Sequence, residues 1–392
     1  MTQLNAIELL AELVRRPSVN PAHTQDEGIA NEFRVTDFLA DLLEQKGFAL
    51  EWDRATHERA SVVARFGPAQ PRFTLMFEGH TDTVGVAGME IPPFDPQIRE
   101  GRLYGRGACD TKGPIAAALT ALTPDRMKRL ADHGIQLIFV AAFGEEKGNL
   151  GAERLVEHGL GADAAIILEP TEGALVYAHK GALWYELTLT GEPAHSSDPA
   201  KGLSAISATA ELIQWLQTDI LRDQANGQDQ ALGPPTLNVG RIEGGVAINI
   251  VPQHCRVEVD RRMVPGEDPA VILQPLEAQL EQMKLSGRIR AYTLKVVKAG
   301  LPFITQTEAP LIQQLSRAIA DVGEPVQLTT AAWFSDAGPF AQTCREIVVY
   351  GPGSIHQAHT KNEFIELDAL QTGQRVFERY LDHLMDQGIP KD

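Results

Sequence analysis

The chain has 392 residues, with 35 lysines and arginines against 52 aspartates and glutamates, and a formal net charge of −17. One hydrophobic core rarely serves more than about 250 to 300 residues, so we expect two domains. The excess of acidic residues disfavours nucleic acids and anionic membranes as partners, because like charges repel.

The start of the chain and its cysteines both favour a cytoplasmic location. Residues 1–21 predict an amphipathic helix that stops before a proline, unlike the apolar core of a signal peptide. The sequence contains no run of about 18 apolar residues that could span a membrane. Cys109, Cys255 and Cys344 are odd in number and widely separated, which is typical of reduced thiols.

Short apolar runs alternate with helical stretches in the first and last parts of the chain, which is typical of an α/β fold. We predict a central mixed, largely parallel sheet flanked by helices, in a domain made of residues 1–181 and 296–392. Its strands are apolar enough to be covered on both faces. They are "FTLMF" at 73–77, "QLIFVAAF" at 136–143, "AAIIL" at 164–168 and "EIVVY" at 346–350.

The pattern changes between residues 182 and 295. Apolar and polar residues alternate there in several segments, as in strands with one face in water, and a helix-like run lies among them. We predict a smaller α+β domain at 182–295 that is inserted into the first domain.

Titratable residues follow each predicted strand of the central sheet. Ligands of open α/β sheets bind at the carboxyl ends of the strands, so we expect these side chains to converge there. They are His80 and Asp82 after the first run, Glu145 and Glu146 after the second, Glu169 after the third, and His356 and His359 after the last.

Asp110 lies in a fifth segment, "GRLYGRGACDTKG", between a glycine-rich turn and an alanine-rich helix. Taken alone, an aspartate at this place predicts a helix N-cap. Taken with the other segments, it fits a carboxylate that bridges two cations. Ordinary alternatives also exist for His80, as a hydrogen-bonded histidine at a strand end, and for Glu145 and Glu146, as solvated charges.

The same residues match what a pair of zinc ions requires. Catalytic zinc takes about three nitrogen and oxygen ligands from the protein and keeps one position open for water. Two ions about 3.5–4 Å apart can share a carboxylate and a hydroxide. We therefore expect zinc, with cobalt or manganese as alternatives. The candidate ligands are His80, Asp110, Glu146, Glu169 and His359.

Two further acids have predicted roles beside the metals. Asp82 lies two residues after His80, so both side chains point the same way on an extended chain and the carboxylate can orient the imidazole. Glu145 and Glu146 are neighbours that point apart, so one can bind metal while the other acts as general base. We predict that Glu145 is the base.

Five motifs together resemble those of the di-zinc metallopeptidase and aminoacylase family, which includes acetylornithine deacetylase, succinyl-diaminopimelate desuccinylase and glutamate carboxypeptidase. They occur in the family's order over nearly the whole chain. The resemblance implies a zinc-exopeptidase-like fold with Asp110 as the bridging ligand. The motifs are "GHTDTV", "GRGACDTKG", "GEEKGNLGA", "ILEPT" and "GPGSIHQAHTKNEF".

The resemblance also implies how the other ligands divide. His80 and Glu169 would complete one site, and Glu146 and His359 the other, with Glu145 as the general base. It favours His359 over His356, because the family's ligand precedes a glutamate by four residues, as His359 precedes Glu363.

In the inserted segment the resemblance implies a lid that carries the contact of a homodimer. His195 in "GEPAHSSDPAKGLSAI" corresponds to a histidine that polarises the scissile carbonyl, often from the partner chain. Asn249 and Arg262 correspond to positions that hold the substrate's carboxylate or carbonyl, although neighbouring Arg261 is an alternative to Arg262.

Ser335 and Asp336 stand where many relatives carry a different hydroxyl or acid, which leaves the acyl preference open. The predicted reaction is hydrolysis of the amide of an N-acyl-L-amino acid, as in acetylornithine deacetylase or succinyl-diaminopimelate desuccinylase. The alternatives are a carboxypeptidase or dipeptidase of the glutamate carboxypeptidase type and a non-catalytic metal-binding homologue. The intact Glu145 disfavours the last of these, because a binding protein needs no base.

Overall fold

A computed structural model describes residues 4–226 and 231–386 of the chain. The chain forms two compact units. Unit 1 contains Met1–Tyr177, Ile304–Thr329 and Ser335–Asp392, and unit 2 contains Ala178–Phe303 and Thr330–Phe334. The sequence pattern did not assign Thr330–Phe334 to the inserted segment. Across the described residues, every helix is too short or too polar to cross a membrane.

Strands and helices alternate through most of the chain. The strands are β1 (Ala49–Arg54), β2 (Ala60–Phe66), β3 (Phe73–His80), β4 (Gln97–Arg99), β5 (Arg102–Tyr104), β6 (Ile135–Ala142), β7 (Ala164–Ile167), β8 (Leu175–His179), β9 (Gly181–Thr190), β10 (Thr236–Gly244), β11 (His254–Met263), β12 (Ala291–Gly300), β13 (Phe303–Ile304), β14 (Leu328–Ala331), β15 (Glu346–Val349) and β16 (Phe364–Glu366). The helices are α1 (Ala6–Val14), α2 (Phe33–Gln45), α3 (Lys112–Ala121), α4 (Pro124–Asp132), α5 (Leu150–Glu157), α6 (Ala205–Asn226), α7 (Pro269–Leu285), α8 (Pro310–Asp321), α9 (Ala337–Phe340) and α10 (Leu367–Asp386).

The main sheet has the strand order β1-β2-β6-β3-β7-β15-β8-β13, and β14 also pairs with β8. The four apolar runs of the sequence form the adjacent central strands β6, β3, β7 and β15, which are mutually parallel. The pairings of β1 with β2, of β2 with β6 and of β8 with β15 are antiparallel. The predicted mixed, largely parallel sheet is therefore confirmed.

The central strands are apolar throughout because helices pack against the sheet. Residues of α1, α2, α3, α8 and α10 form one buried cluster with residues of the strands. Short β4, β5 and β16 make a separate three-stranded sheet, in which β5 pairs with both of the others. This small sheet matters for the site because β4 and β5 precede Asp110 in the chain and β16 follows His359.

Unit 2 contains an antiparallel sheet in the order β10-β11-β9-β12. In β9, buried and partly exposed residues alternate, as the period-two pattern of its sequence predicts. Its buried residues, including Leu187 and Leu189, pack with Leu212 of α6 and Leu280 of α7. One face of this sheet is thus covered by two helices.

An aromatic cluster joins the centre of the main sheet to α10. The ring of Phe377 lies 5.6 Å from that of Phe77 and 5.4 Å from that of Tyr350, edge to face in both cases. All three side chains are buried. Such pairs add to the stabilisation that burial of the rings already provides.

We expect Phe377→Ala to lower the free energy of unfolding by about 3–5 kcal/mol, because it leaves a cavity and removes both ring contacts. Lys128→Ala, at an exposed helix position, should stay within about 0.5 kcal/mol of the wild type. Urea denaturation followed by circular dichroism measures both changes. If Phe377→Ala lowers the free energy of unfolding by less than about 1 kcal/mol, the aromatic cluster contributes little to stability.

Candidate metal centre

The parallel strands of unit 1 deliver their titratable side chains to one edge of the sheet. His80 is the last residue of β3, and Glu145 and Glu146 follow β6. Glu169 follows β7, and His359 lies in the loop after β15. Because the carboxyl ends of parallel neighbours meet at the same edge, side chains far apart in sequence become neighbours.

The five predicted ligands form two groups that share Asp110. His80, Asp110 and Glu169 make one group, and Asp110, Glu146 and His359 make the other. Within each group the potential ligand atoms lie within 4.8 Å of one another. The structure thus brings together all five residues in the division that the resemblance implied.

The two oxygens of Asp110 face different histidines. Oδ1 lies 3.1 Å from His80 Nε2, and Oδ2 lies 3.1 Å from His359 Nε2. Glu146 Oε2 is 3.0 Å from His359 Nε2, and Glu169 Oε1 is 3.7 Å from His80 Nε2. One imidazole and two carboxylates in each group are a donor set that suits a divalent transition metal.

The electrostatics of the two groups favour added positive charge. Burial raises the pKa of Glu146 to about 7 and raises the pKa of Glu169 well above its usual range. Hydrogen bonds to Asp110 and Glu146 raise the pKa of His359 to about 11. Burial also acts to raise the pKa of Asp110, but hydrogen bonds with His359 and His80 outweigh it and lower that pKa. Buried carboxylates packed this closely are stable only beside cations.

Asp82 connects two of the strand ends. His80 Nδ1 lies 3.0 Å from the main-chain oxygen of Asp82 and 3.5 Å from its carboxylate. The carboxylate accepts hydrogen bonds from the amide of Asn20 at 2.8 Å and from the main-chain N–H groups of Glu145 and Glu146, both at 3.1 Å. Asp82 therefore holds the segment with the predicted base as well as facing the predicted ligand.

Glu145 lies among other acids. Burial raises its pKa well above the usual range, and the negative charge of Asp336 acts in the same direction. The amide nitrogen of Asn149 donates to Glu145 Oε1 at 3.2 Å and to Asp336 Oδ1 at 2.8 Å. A carboxylate with a raised pKa accepts a proton readily, which suits a general base.

Glu78 and Asp336 are a pair of buried acids near Glu145. Among the described residues, no donor reaches either oxygen of Glu78 or the Oδ2 atom of Asp336. Burial raises the pKa of Glu78 well above its usual range and that of Asp336 to about 6. A proton on either acid would allow it to donate to the other, because a protonated carboxyl group is a donor.

Glu363 is a supporting residue whose role sequence reasoning missed, since it served there only to select His359. Its side chain is fully buried. Oε1 accepts from the main-chain N–H groups of Cys109 at 2.9 Å and Asp110 at 3.1 Å. Oε2 accepts from the Gly107 N–H at 3.1 Å and from Arg106 Nη1 at 2.6 Å. Glu363 thereby holds the turn that presents Asp110.

His359 differs from the other predicted ligands in its exposure. Its side chain is 53% exposed, and its backbone has a φ of 63°. His356 is exposed and belongs to neither of the two groups found in the described part of the chain. Cys109 is buried, and burial raises the pKa of its thiol, which disfavours a nucleophilic role.

The remaining predicted residues belong to unit 2. His195 is exposed, with Nδ1 2.7 Å from Ser197 Oγ, and it lies next to Asn249, whose main-chain oxygen accepts from the Ser196 N–H at 3.1 Å. Arg262 lies on β11, where its guanidinium binds Asp260 at 3.0 Å.

Arg261, the alternative to Arg262, is occupied within unit 2. Its side chain is buried and bound to Asp223 at 2.9 Å and Glu267 at 2.6 Å. Two carboxylate partners already compensate its charge, so Arg262 is the better candidate for a substrate ligand.

Comparison with known proteins agrees with the motifs. Acetylornithine deacetylase from Myxococcus xanthus is 33% identical over 358 residues, which cover 89% of this chain and 91% of that protein. A tripeptidase from Staphylococcus aureus subsp. aureus Mu50 has a similar fold, with a TM-score of 0.77 at 22% identity over 97% of this chain and 98% of that one. A Bacillus subtilis protein described as a dinuclear metal-binding peptidase of family M20 has a TM-score of 0.67 at 15% identity, over 97% and 98% of the two chains.

The profile of peptidase family M20/M25/M40 matches residues 76–383, a range that contains every predicted ligand. The resemblance drawn from the five motifs is therefore confirmed, and so is the prediction of a hydrolase. A range that begins within β3 and ends within α10 covers most of unit 1 and all of unit 2. The chain belongs to peptidase family M20/M25/M40, whose members are metal-dependent hydrolases.

Proposed function

We propose that this protein hydrolyses the amide bond of N-acyl-L-amino acids and uses two zinc ions to do so. The observation that carries the proposal is the division of the Asp110 oxygens between two groups of one histidine and two carboxylates, with Glu145 beside them. Relatives named acetylornithine deacetylase make N-acetyl-L-ornithine the first substrate to test.

Zinc is proposed because the donor set is mixed. Each group offers one imidazole nitrogen and carboxylate oxygens, whereas Mg²⁺ and Ca²⁺ are held by oxygen ligands. When bound, such ions would polarise the scissile carbonyl and lower the pKa of a bound water toward neutrality. His80 and Glu169 would hold one ion, Glu146 and His359 the other, and Asp110 both.

Glu145 would move the proton in this reaction. It takes a proton from the attacking water and returns it to the nitrogen of the leaving amino acid. Because the Asn149 amide already occupies Oε1, we assign both transfers to Oε2. Asp82 fixes the Glu145 backbone through its N–H, so the base keeps its place while its charge changes.

Unit 2 would supply the groups that bind the substrate, a proposal that rests on the motif resemblance. His195 would donate a hydrogen bond to the oxyanion that forms on the carbonyl oxygen, a type of stabilisation that contributes strongly to acyl transfer. Arg262 would bind the free carboxylate through its planar fork, and Asn249 would hold the carbonyl.

We also propose a cytoplasmic homodimer in which unit 2 carries the lid and the dimer contact. The three cysteines are buried and unpaired, as suits a reducing compartment.

The first experiment measures hydrolysis of N-acetyl-L-ornithine, of other N-acetyl-, N-succinyl- and N-formyl-amino acids, and of dipeptides. Protein treated with a chelator should be inactive, and its activity should return when zinc is added. Glu145→Gln should lower kcat by about 10²–10⁴-fold and retain both ions, because it removes the base and no ligand.

The matched control for this experiment is Glu157→Gln, an exposed position on α5, which should match the wild type. Full turnover in Glu145→Gln would remove Glu145 as the base. Preference for dipeptides over every N-acyl-amino acid would place the protein among the peptidases of the family.

Glu363→Gln should weaken metal binding by about 10–100-fold, because an amide NH₂ would face the N–H groups that the carboxylate now accepts. Competition with a chromophoric chelator measures the affinity, and circular dichroism verifies the fold. Glu366→Gln is the control, since that side chain is 58% exposed. Equal affinities for the two variants would exclude a role for Glu363 in presenting Asp110.

The proposed dimer can be tested through His195. Inactive His195→Ala chains mixed with inactive Glu145→Gln chains should recover about a quarter of the wild-type activity, because half of randomly mixed dimers are hybrids with one intact site. Native mass spectrometry verifies subunit exchange. Absence of recovery after exchange would place both residues in the site of one chain or remove His195 from the reaction.

A further inference from the structure

Asn149 lies between two carboxylates and donates to both of them. Its amide nitrogen is 3.2 Å from Glu145 Oε1 and 2.8 Å from Asp336 Oδ1. A primary amide has two N–H groups, so both bonds can form at once. The side chain is buried, with 3% of the residue exposed, and therefore makes these bonds away from competing water.

The ordinary role of asparagine at the start of a helix does not account for this side chain. Asn149 immediately precedes α5, with a φ of 55°. Within the part of the chain that the structure describes, its side chain makes no capping bond to the first turn of α5. Glycine could adopt the same backbone conformation, so the positive φ does not by itself require an asparagine side chain at this position.

Asp336 likewise accepts a hydrogen bond from Asn149 and, in the part of the chain described, does not cap the helix that follows it. It is buried, and in the described residues its side chain makes no capping bond to α9, which it precedes. The bond from the Asn149 amide to Asp336 Oδ1, at 2.8 Å, is shorter than its bond to Glu145 Oε1, at 3.2 Å, so Asp336 constrains the amide more closely. Asp336 thus anchors the amide and fixes the direction of its second N–H.

We infer that Asn149 is a positioning residue that holds Glu145 Oε1 and so turns Oε2 toward the attacking water, with Asp336 anchoring the Asn149 amide. This inference rests on the proposed function, because it assigns a task to the proposed base. It also gives a role to Asp336, which stands at the position where the sequence departs from many relatives. Asn149 itself touches neither substrate nor metal ligand in this scheme.

The test uses Asn149→Gly, which removes the side-chain amide and introduces a residue that adopts positive φ without strain. Glu100→Gly is the matched control, because Glu100 has a φ of 51° and is exposed in the turn between β4 and β5. We expect Asn149→Gly to lower kcat by about 10²-fold, since misplacing a reacting group by about 1 Å costs that much. KM should change less than about twofold, because positioning of the base acts on the chemical step.

Two further readouts separate positioning from a structural effect. Metal content measured by inductively coupled plasma mass spectrometry should remain at two ions per chain. The double variant Asn149→Gly with Glu145→Gln should have the same kcat as Glu145→Gln alone, because Asn149 acts only through the base. Asp336→Ala removes the acceptor of the anchoring bond and should also lower kcat, by about tenfold, and it tests the inference independently if Asn149→Gly does not fold.

The outcomes are distinct. A kcat for Asn149→Gly within twofold of Glu100→Gly, in a protein that hydrolyses N-acyl-amino acids, overturns the inference and leaves the proposed function intact. A further fall of kcat in the double variant also overturns it, since Asn149 would then act apart from Glu145. If the wild type hydrolyses none of the substrates tested, both the proposed function and this inference are overturned.

Discussion

The crowding of buried carboxylates at one edge of a parallel sheet is the constraint on which the rest of unit 1 depends. Asp82, Asp110 and Glu169 are buried within reach of His80, and Glu146 faces His359. Carboxylates in such surroundings repel one another and lose hydration, so they need positive charge or hydrogen-bond donors. The two histidines and the proposed metal ions meet the first need, and main-chain N–H groups meet the second.

Two acids that are not predicted ligands organise those main-chain groups. Asp82 accepts from the N–H groups of Glu145 and Glu146, and Glu363 accepts from those of Cys109 and Asp110. Each carboxylate thus fixes the loop that carries a predicted base or predicted ligand. A candidate metal site with such support is preorganised, so ordering its ligands on metal binding costs less free energy.

A second layer of polar residues surrounds the proposed base. Asn149 links Glu145 to Asp336, and Asp336 in turn lies beside Glu78. Buried polar networks of this kind are stable only when nearly every member is satisfied. The cost of burying them is consistent with a functional role, because packing alone would be served better by apolar residues of the same size.

The sequence by itself determined the central strands and the residues that follow them. Four apolar runs without polar interruption can be stable only where both faces are covered, and such strands are parallel neighbours that place His80, Glu146 and Glu169 at one edge. The resemblance of the motifs to those of the family further predicted Asp110 as the shared ligand and His359 as a ligand of the second site. The apolar runs and the motifs are local patterns, so they can be read from one sequence without knowledge of the fold.

Only the tertiary structure decided the supporting residues. Asn149 meets Asp336 across 187 positions of sequence, and Glu363 meets Asp110 across 253. No local pattern marks such partners, because an isolated acid or amide in sequence resembles any solvated surface residue. Their roles follow from burial, which removes water as an alternative partner and makes each remaining hydrogen bond specific.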